Sequence, residues 1–201
     1  MSRYTGPKGR VNRRLGAMVF ETAGASKALE KRPNPPGMHP KQRRTDYGAA
    51  LNEKQKVKYY YGLGERQLRR YFAKASSMKG NTGENLLILC ERRLDNVVRR
   101  GGYTKTRPQA RQGIVHGHFQ VNGVKVTKPS FMVKPGDVIT VKAREQLHFV
   151  YKAVLTESSP QTPDWLQFDG ESLRCTVLGL PGPSDVSLPV DIKTVTEFMG
   201  R

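Results

Sequence analysis

The chain has 201 residues, of which 35 are Lys or Arg and 17 are Asp or Glu, giving a formal charge of +18, a sequence pI near 10.2 and a mean hydropathy of −0.61. An excess of this size opposes compaction unless a polyanion neutralises it. The partners to look for are therefore nucleic acid or an anionic membrane surface, and a large autonomous catalytic domain beside a basic arm would barely fit. Cys90 and Cys175 have no further cysteine at metal-ligand spacing, and no run approaches the roughly 20 apolar residues that cross a bilayer, so a reducing, cytoplasmic setting is expected. Residues 1–14 are basic without the apolar stretch of a signal peptide, and Gly and Pro interrupt them too often for a membrane-binding amphipathic helix; no membrane partner is expected.

The charge is concentrated N-terminally. Residues 1–110 hold 25 Lys or Arg against 8 Asp or Glu, residues 111–201 hold 10 against 9, and from Gln146 onward 4 basic residues face 7 acidic ones. Residues 1–48 carry little apolar periodicity and many breakers, among them Gly6-Pro7, Pro33, Pro35-Pro36-Gly37 and Pro40, and read as an extended basic arm. Basic pairs punctuate it at Arg13-Arg14, Lys31-Arg32 and Arg43-Arg44. A solubilising tail is the alternative, although Leu15, Met18, Val19 and Phe20 speak against pure disorder.

A helix is expected from Asn52, a good N-cap, to the Tyr59-Tyr60-Tyr61 cluster, and a second from Glu65 to Ala75. In the second, Leu68, Tyr71, Phe72 and Ala75 share a side while Arg66, Arg70 and Lys74 recur opposite. That cationic face is either a contact surface or simply solvated. A third helix is predicted over Glu84 to Arg99, with Leu86, Leu87, Cys90, Leu94, Val97 and Val98 in one apolar arc and Gly101-Gly102 ending it. Cys90 reads as a small buried hydrophobe.

Thr106, with Gln109 three residues on and Pro108 in the first turn, opens a short helix from Arg107 to Val115 that presents Arg107 and Arg111 on one face. The period then switches to alternation. Phe119 and Val121 point one way, Asn122-Gly123 marks a hairpin, Val124 and Val126 resume, Phe131 and Val133 lead to a Lys134-Pro135-Gly136-Asp137 turn, and Val138 to Val141 forms another strand.

Glu91-Arg92-Arg93-Leu94-Asp95-Asn96-Val97-Val98, Thr106-Arg107-Pro108-Gln109-Ala110-Arg111-Gln112, His116-Gly117-His118, Val121-Asn122-Gly123 and Val133-Lys134-Pro135-Gly136-Asp137, in that order, resemble the S-four type RNA-binding domain. Upstream, Arg3-Tyr4-Thr5-Gly6-Pro7, Arg13-Arg14-Leu15-Gly16, Lys31-Arg32-Pro33-Asn34-Pro35-Pro36-Gly37, Glu53-Lys54-Gln55-Lys56, Tyr61-Gly62-Leu63-Gly64-Glu65-Arg66-Gln67 and Gly83-Glu84-Asn85 look like the bacterial small-subunit ribosomal protein S-four family. With Pro163-Asp164-Trp165-Leu166, the resemblance covers nearly the whole chain.

The resemblance implies an α+β protein with an extended basic N-terminal arm (1–48), a helical body with C-terminal closure (49–90 and 146–201) and an inserted small helix-plus-antiparallel-sheet RNA-binding module (91–145). It implies a structural constituent of the small ribosomal subunit that binds small-subunit ribosomal RNA directly, nucleates assembly of the subunit body and supports translational accuracy. The implied neighbours are other small-subunit proteins, including the fifth, and messenger RNA is a further partner through repression. A free RNA-binding translational repressor is the alternative reading. An RNA-modifying enzyme carrying the same module ranks last, because only about 55 residues follow it and no phosphate-loop or nucleophile-elbow motif occurs. Some family members bind zinc through N-terminal cysteines; here no Cys precedes Cys90, so neither a metal nor another cofactor is expected. Arg100 stands where an apolar residue is usual before the glycines, and Leu178 to Pro183 departs from the usual C-terminal pattern.

The expected phosphate contacts are Arg3, Lys8, Arg10, Arg13, Arg14, Arg43, Arg44, Arg66, Arg69 and Arg70. In the module, Arg93, Thr106, Arg107, Gln109 and Arg111 are expected to line one surface, with His116, His118 and Asn122 at its edge. Thr106 as a helix cap and Asn122 as a turn residue are competing roles, and two histidines without a third ligand make a weak metal signal.

Overall fold

The computed structural model describes residues 4–38, 45–157, 162–182 and 185–200. Within them run α1 (Lys8–Leu15), α2 (Ala23–Lys31), α3 (Asp46–Tyr60), α4 (Glu65–Ser76), α5 (Thr82–Glu91), α6 (Leu94–Arg100), α7 (Arg107–Val115), β1 (Phe119–Val121), β2 (Val124–Lys125), β3 (Val138–Val141), α8 (Glu145–Glu157), β4 (Leu166–Asp169), β5 (Arg174–Val177) and α9 (Ile192–Gly200). The class is α+β, as expected. The chain divides into two compact units, 1–86 with 187–201, and 87–186.

In the first unit the N-terminal segment is helical where an extended arm is expected. Val11 and Leu15 lie four residues apart on α1 and bury together with Ala17, Val19, Phe20 and Ala25. Asn12 fastens the turn after α1: its Oδ1 accepts from the Val19 and Phe20 N–H groups at 3.2 and 3.0 Å, and its Nδ2 donates to the Phe20 carbonyl at 3.1 Å. Gly16 ends the helix at φ +64°, the left-handed conformation glycine adopts without steric penalty. The clustered Gly and Pro residues thus mark boundaries of short helices.

Helix α3 starts six residues before the predicted Asn52, because Thr45 caps it by accepting from the Gly48 N–H at 3.2 Å; Asn52 lies inside the helix. The C-terminal segment closes this unit. Tyr60 and Ser187 share a hydrogen bond at 2.7 Å, Glu53 Oε2 accepts from the Asp191 N–H at 3.1 Å, and Lys54 Nζ lies 5.3 Å from the Phe198 ring centre. A Cβ at Gly83 would stand 2.1 Å from Ile192 Cγ2, so glycine is required where α5 meets α9.

The second unit is a five-stranded antiparallel sheet in the order β2-β1-β3-β5-β4 with helices over its apolar face. Val121 pairs with Val124 across Asn122 (φ +51°) and Gly123 (φ +79°), the two-residue hairpin its sequence announces. Gly136 at φ +87° completes the Lys134-Pro135-Gly136-Asp137 turn. The sequence-based boundary at residue 145 is not where the units divide. Residues 146–186 belong here, because β5 pairs with β3 (Ile139 opposite Cys175) and β4 extends the sheet.

The predicted helix from Glu84 to Arg99 is two helices. Arg93 is extended (φ −70°, ψ 138°) and bridges Met132; the Leu94 and Asp95 N–H groups donate to the Phe131 and Pro129 carbonyls, and the Arg92 carbonyl accepts from the Val133 N–H. Backbone pairing with a segment about forty residues away outcompetes one turn of helix.

Tyr103 sits at the centre of this core, fully buried, with the Phe119 and Phe168 rings edge-on at 5.4 and 5.0 Å. Its hydroxyl reaches the Ile139 and Leu173 carbonyls at 3.0 and 2.9 Å, and burial pushes its pKa well above the usual phenol value. Tyr103→Phe would remove the one O–H donor that these two carbonyls share. It is expected to lower the stability of the second unit by about 1–3 kcal/mol, read as a lower midpoint at unchanged slope in urea unfolding.

Candidate nucleic-acid interface

The cations expected to meet RNA fall into two physical kinds. On α4 of the first unit, Leu68 and Ala75 face inward and leave Arg66, Arg69, Arg70 and Lys74 exposed along the opposite side. Glu65 is the acidic residue of this helix, and its Oε1 lies 2.6 Å from Lys54 Nζ and 3.9 Å from Arg69 Nε, its Oε2 3.0 Å from Lys58 Nζ. Burial pushes the Glu65 carboxyl up, but the hydrogen bonds and charges of Lys54 and Lys58 outweigh it and hold the group below the usual carboxylate range. It therefore stays ionised and anchors α3 to α4, while the arginine row faces outward. On α1, Arg10 and Arg14 are exposed and Lys8 and Arg13 half-buried, with Arg13 Nε donating to the Asn34 carbonyl at 2.9 Å. Arg3, Arg43 and Arg44 lie outside the described residues.

In the second unit Arg93 and Arg107 point inward. Arg93 is fully buried and grips Asp95 with two hydrogen bonds, Nε to Oδ1 at 3.0 Å and Nη2 to Oδ2 at 2.7 Å. Arg111 Nη2 shares the same Oδ2 at 3.3 Å. Beside this cluster, the buried Glu91 accepts from Asn96 Nδ2 at 2.6 Å and from Arg100 Nε at 3.3 Å, and Asn96 Oδ1 accepts from Arg107 Nε at 2.9 Å. Arg100 also donates to the Asp185 carbonyl. Two carboxylates with three guanidinium groups, and the Asn96 amide with a fourth, thus hold the ends of α5, α6 and α7.

The sequence-based surface is accordingly corrected. Arg93, with no exposure, and Arg107, 9% exposed, are internal fastenings, because a buried guanidinium must be paired and these are. Asn122 is exposed and also serves the turn: Oδ1 accepts from the Val138 N–H at 2.8 Å and Nδ2 donates to Asp137 Oδ1 at 2.9 Å. Thr106 occupies the N-cap of α7 without a side-chain capping bond, and Gln109 Oε1 instead accepts from the Lys105 N–H at 3.2 Å. Gln109 and His116 are exposed and Arg111 half-buried, so these three keep a solvent side. His116 bonds Gln112 at 2.8 Å; the half-buried His118 bonds the Tyr151 hydroxyl at 2.9 Å, and the two imidazole centres are 5.7 Å apart. Burial lowers the His118 pKa, helped by the charges of His116 and Arg144. Among the described residues no cluster of three or more His, Cys, Asp or Glu could hold a metal ion. Burial pushes the Cys175 thiol up to about 12 and the Cys90 thiol higher still, so both act as hydrophobes.

Sequence reasoning passed over Glu91, Asp95 and Asn96, whose signal is the juxtaposition of acids and amide with arginines in one apolar-faced helix. It also passed over the exposed Lys125, Lys128 and Lys134 around the hairpin and the following turn.

The family model described as the ribosomal protein S4/S9 N-terminal domain matches residues 3–91, and that described as the S4 domain matches residues 92–139. Small ribosomal subunit protein uS4 of Rhodopirellula baltica is 64% identical over 202 residues, covering 100% of both chains. The chain belongs to the uS4 family. Members from Rubrobacter xylanophilus and Geobacillus stearothermophilus are 47% and 45% identical over 204 residues, again covering 100% of both chains. The two family models meet at residues 91 and 92, where the structure breaks α5 from α6.

Two variants separate the two kinds of cation. Arg93→Met leaves the buried Asp95 without its bidentate partner and is expected to destabilise the second unit by about 3–5 kcal/mol. Arg70→Ala, on the exposed row, should stay within about 0.5 kcal/mol of the parent. Chemical unfolding followed by circular dichroism measures both.

Proposed function

We propose that the chain is a structural constituent of the small ribosomal subunit, that it binds small-subunit ribosomal RNA directly, and that it acts early, nucleating assembly of the subunit body and supporting translational accuracy. The observation that carries the reading is the 64% identity, end to end, with a protein named small ribosomal subunit protein uS4. Its work is binding and shaping, without catalysis. Its place is the ribosome in the cytoplasm, beside other small-subunit proteins including the fifth. No helix among the described residues is long and apolar enough to cross a membrane.

The physical basis is the exposed charge. Arg66, Arg69, Arg70 and Lys74 stand on one rigid helix face, and Arg10 and Arg14 on another, so each row can track a phosphate backbone. Contacts of this kind read the shape of folded RNA, since phosphates and riboses carry no sequence. Arg111, Gln109 and His116 give the second unit a smaller polar surface of its own. Sedimentation of a lysate through sucrose at moderate and high salt tests the assignment: the chain should travel with small subunits at both, and consistent absence from them would overturn it.

For the RNA contact itself, replacing Arg66, Arg69 and Arg70 together by Ala should leave the fold intact. It should flatten the dependence of log affinity on log salt by roughly 2 to 3, close to one per lost phosphate contact. Filter binding to transcribed small-subunit ribosomal RNA over a salt series measures it, and an unchanged slope would remove α4 from the contact surface.

A further inference from the structure

Arg111 differs from the other arginines of its cluster. Arg93 is fully buried and Arg107 nearly so, whereas the Arg111 side chain keeps 16% of its surface exposed on α7. Among the groups that hold it is Asp95, whose Oδ2 lies 3.3 Å from Arg111 Nη2 and 2.7 Å from Arg93 Nη2. Asp95 is itself immobilised: Arg93 grips both its oxygens, and its backbone N–H donates to the Pro129 carbonyl at 3.2 Å. Arg93 in turn is fixed by its bridge to Met132.

The charges in this chain of contacts do not cancel. Arg93 and Asp95 neutralise one another at short range, so Asp95 can direct the Arg111 guanidinium without removing its positive charge. The Nε of Arg111 is buried, so its terminal nitrogens are the donors left for a phosphate oxygen, and a side chain already held in place loses less freedom on binding than a mobile one. We propose that Asp95, clamped by Arg93, is a positioning residue for RNA binding: it aims Arg111 at an RNA phosphate and does not itself touch RNA. This rests on the ribosomal RNA-binding reading above and adds the means by which one contact is set.

The test is a double-mutant cycle on the full-length chain, with affinity for transcribed small-subunit ribosomal RNA measured over a salt series for the parent, Asp95→Asn, Arg111→Ala and the double variant. Arg111→Ala should weaken binding about tenfold and flatten the salt slope by roughly 0.7 to 0.9, the loss of one phosphate contact. Asp95→Asn should weaken binding by about fivefold in the parent but by less than about twofold once Arg111 is gone, because its effect runs through that side chain. An equal loss in both backgrounds would make Asp95 merely structural and overturn the proposal. So would an Arg111→Ala variant with parental affinity and slope, while leaving RNA binding by the chain intact. Absence of binding by the parent itself would instead sink the reading beneath it. If circular dichroism shows Asp95→Asn unfolded, Asp95→Glu takes its place in the same cycle, since it keeps the charge and displaces it by one methylene.

Discussion

The interruption between α5 and α6 is the constraint on which the second unit depends. Had the helix run on through Arg93, the N–H groups of Leu94 and Asp95 would have found their partners one turn back. They bond instead to the Phe131 and Pro129 carbonyls. The extended step at Arg93 swings its guanidinium round to Asp95, and it leaves the Glu91 carbonyl to accept from Asn96 Nδ2 at 3.1 Å. Glu91, Arg93, Asp95 and Asn96 are all buried by this arrangement, and a buried polar group left without a partner is costly. Each has one, so the break is stable, and α7 is docked against it through Arg107 and Arg111.

The two units treat their acidic residues alike. With 17 carboxylates against 35 cations, acids are scarce, and several are used as internal anchors. Glu65 gathers Lys54 and Lys58, Glu91 gathers Asn96 and Arg100, and Asp95 gathers Arg93 and Arg111. Arginine fits the buried positions because its planar fork meets a carboxylate with two bonds, as Arg93 does; lysine, a point charge on a flexible stem, serves where one oxygen and an aromatic ring are offered, as at Lys54. The net charge of +18 is therefore a surplus left after the fold has been fastened.

Where structure follows from neighbours in sequence, the sequence was legible. Helix α4 and the Arg107–Val115 helix run nearly as their periodicity and capping residues indicate, and Asn122-Gly123 makes its hairpin. Where a distant partner decides, it was not. The α5–α6 break depends on residues 129–133, and the apolar arc from Leu86 to Val98 conceals it because the apolar residues of both helices are buried. Strands β4 and β5 are four residues each; β5 gains its identity from pairing with β3, and β4 from pairing with β5. Helices α1 and α2 form among glycines and prolines because Asn12 and a small apolar cluster hold them, a tertiary cause that composition hides. The candidate site shows the same division: Arg66 and Arg70 could be placed by period, while the inward turn of Arg93 and Arg107 required knowing where their acceptors lie.

A motif dense in arginine invites the inference that each arginine meets phosphate, and burial separates the ones that can from the ones that hold the fold. On the proposed reading these roles are complementary. Rows of exposed cations on α1 and α4 supply attraction that acts over about 8 to 10 Å at physiological salt and tolerates many RNA surfaces. Discrimination between RNA shapes needs donors whose positions are fixed before the RNA arrives, and fixed donors require buried counter-charges behind them. Arg93, Asp95, Glu91 and Asn96 are that backing, so residues that need never touch RNA help to set which RNA is accepted.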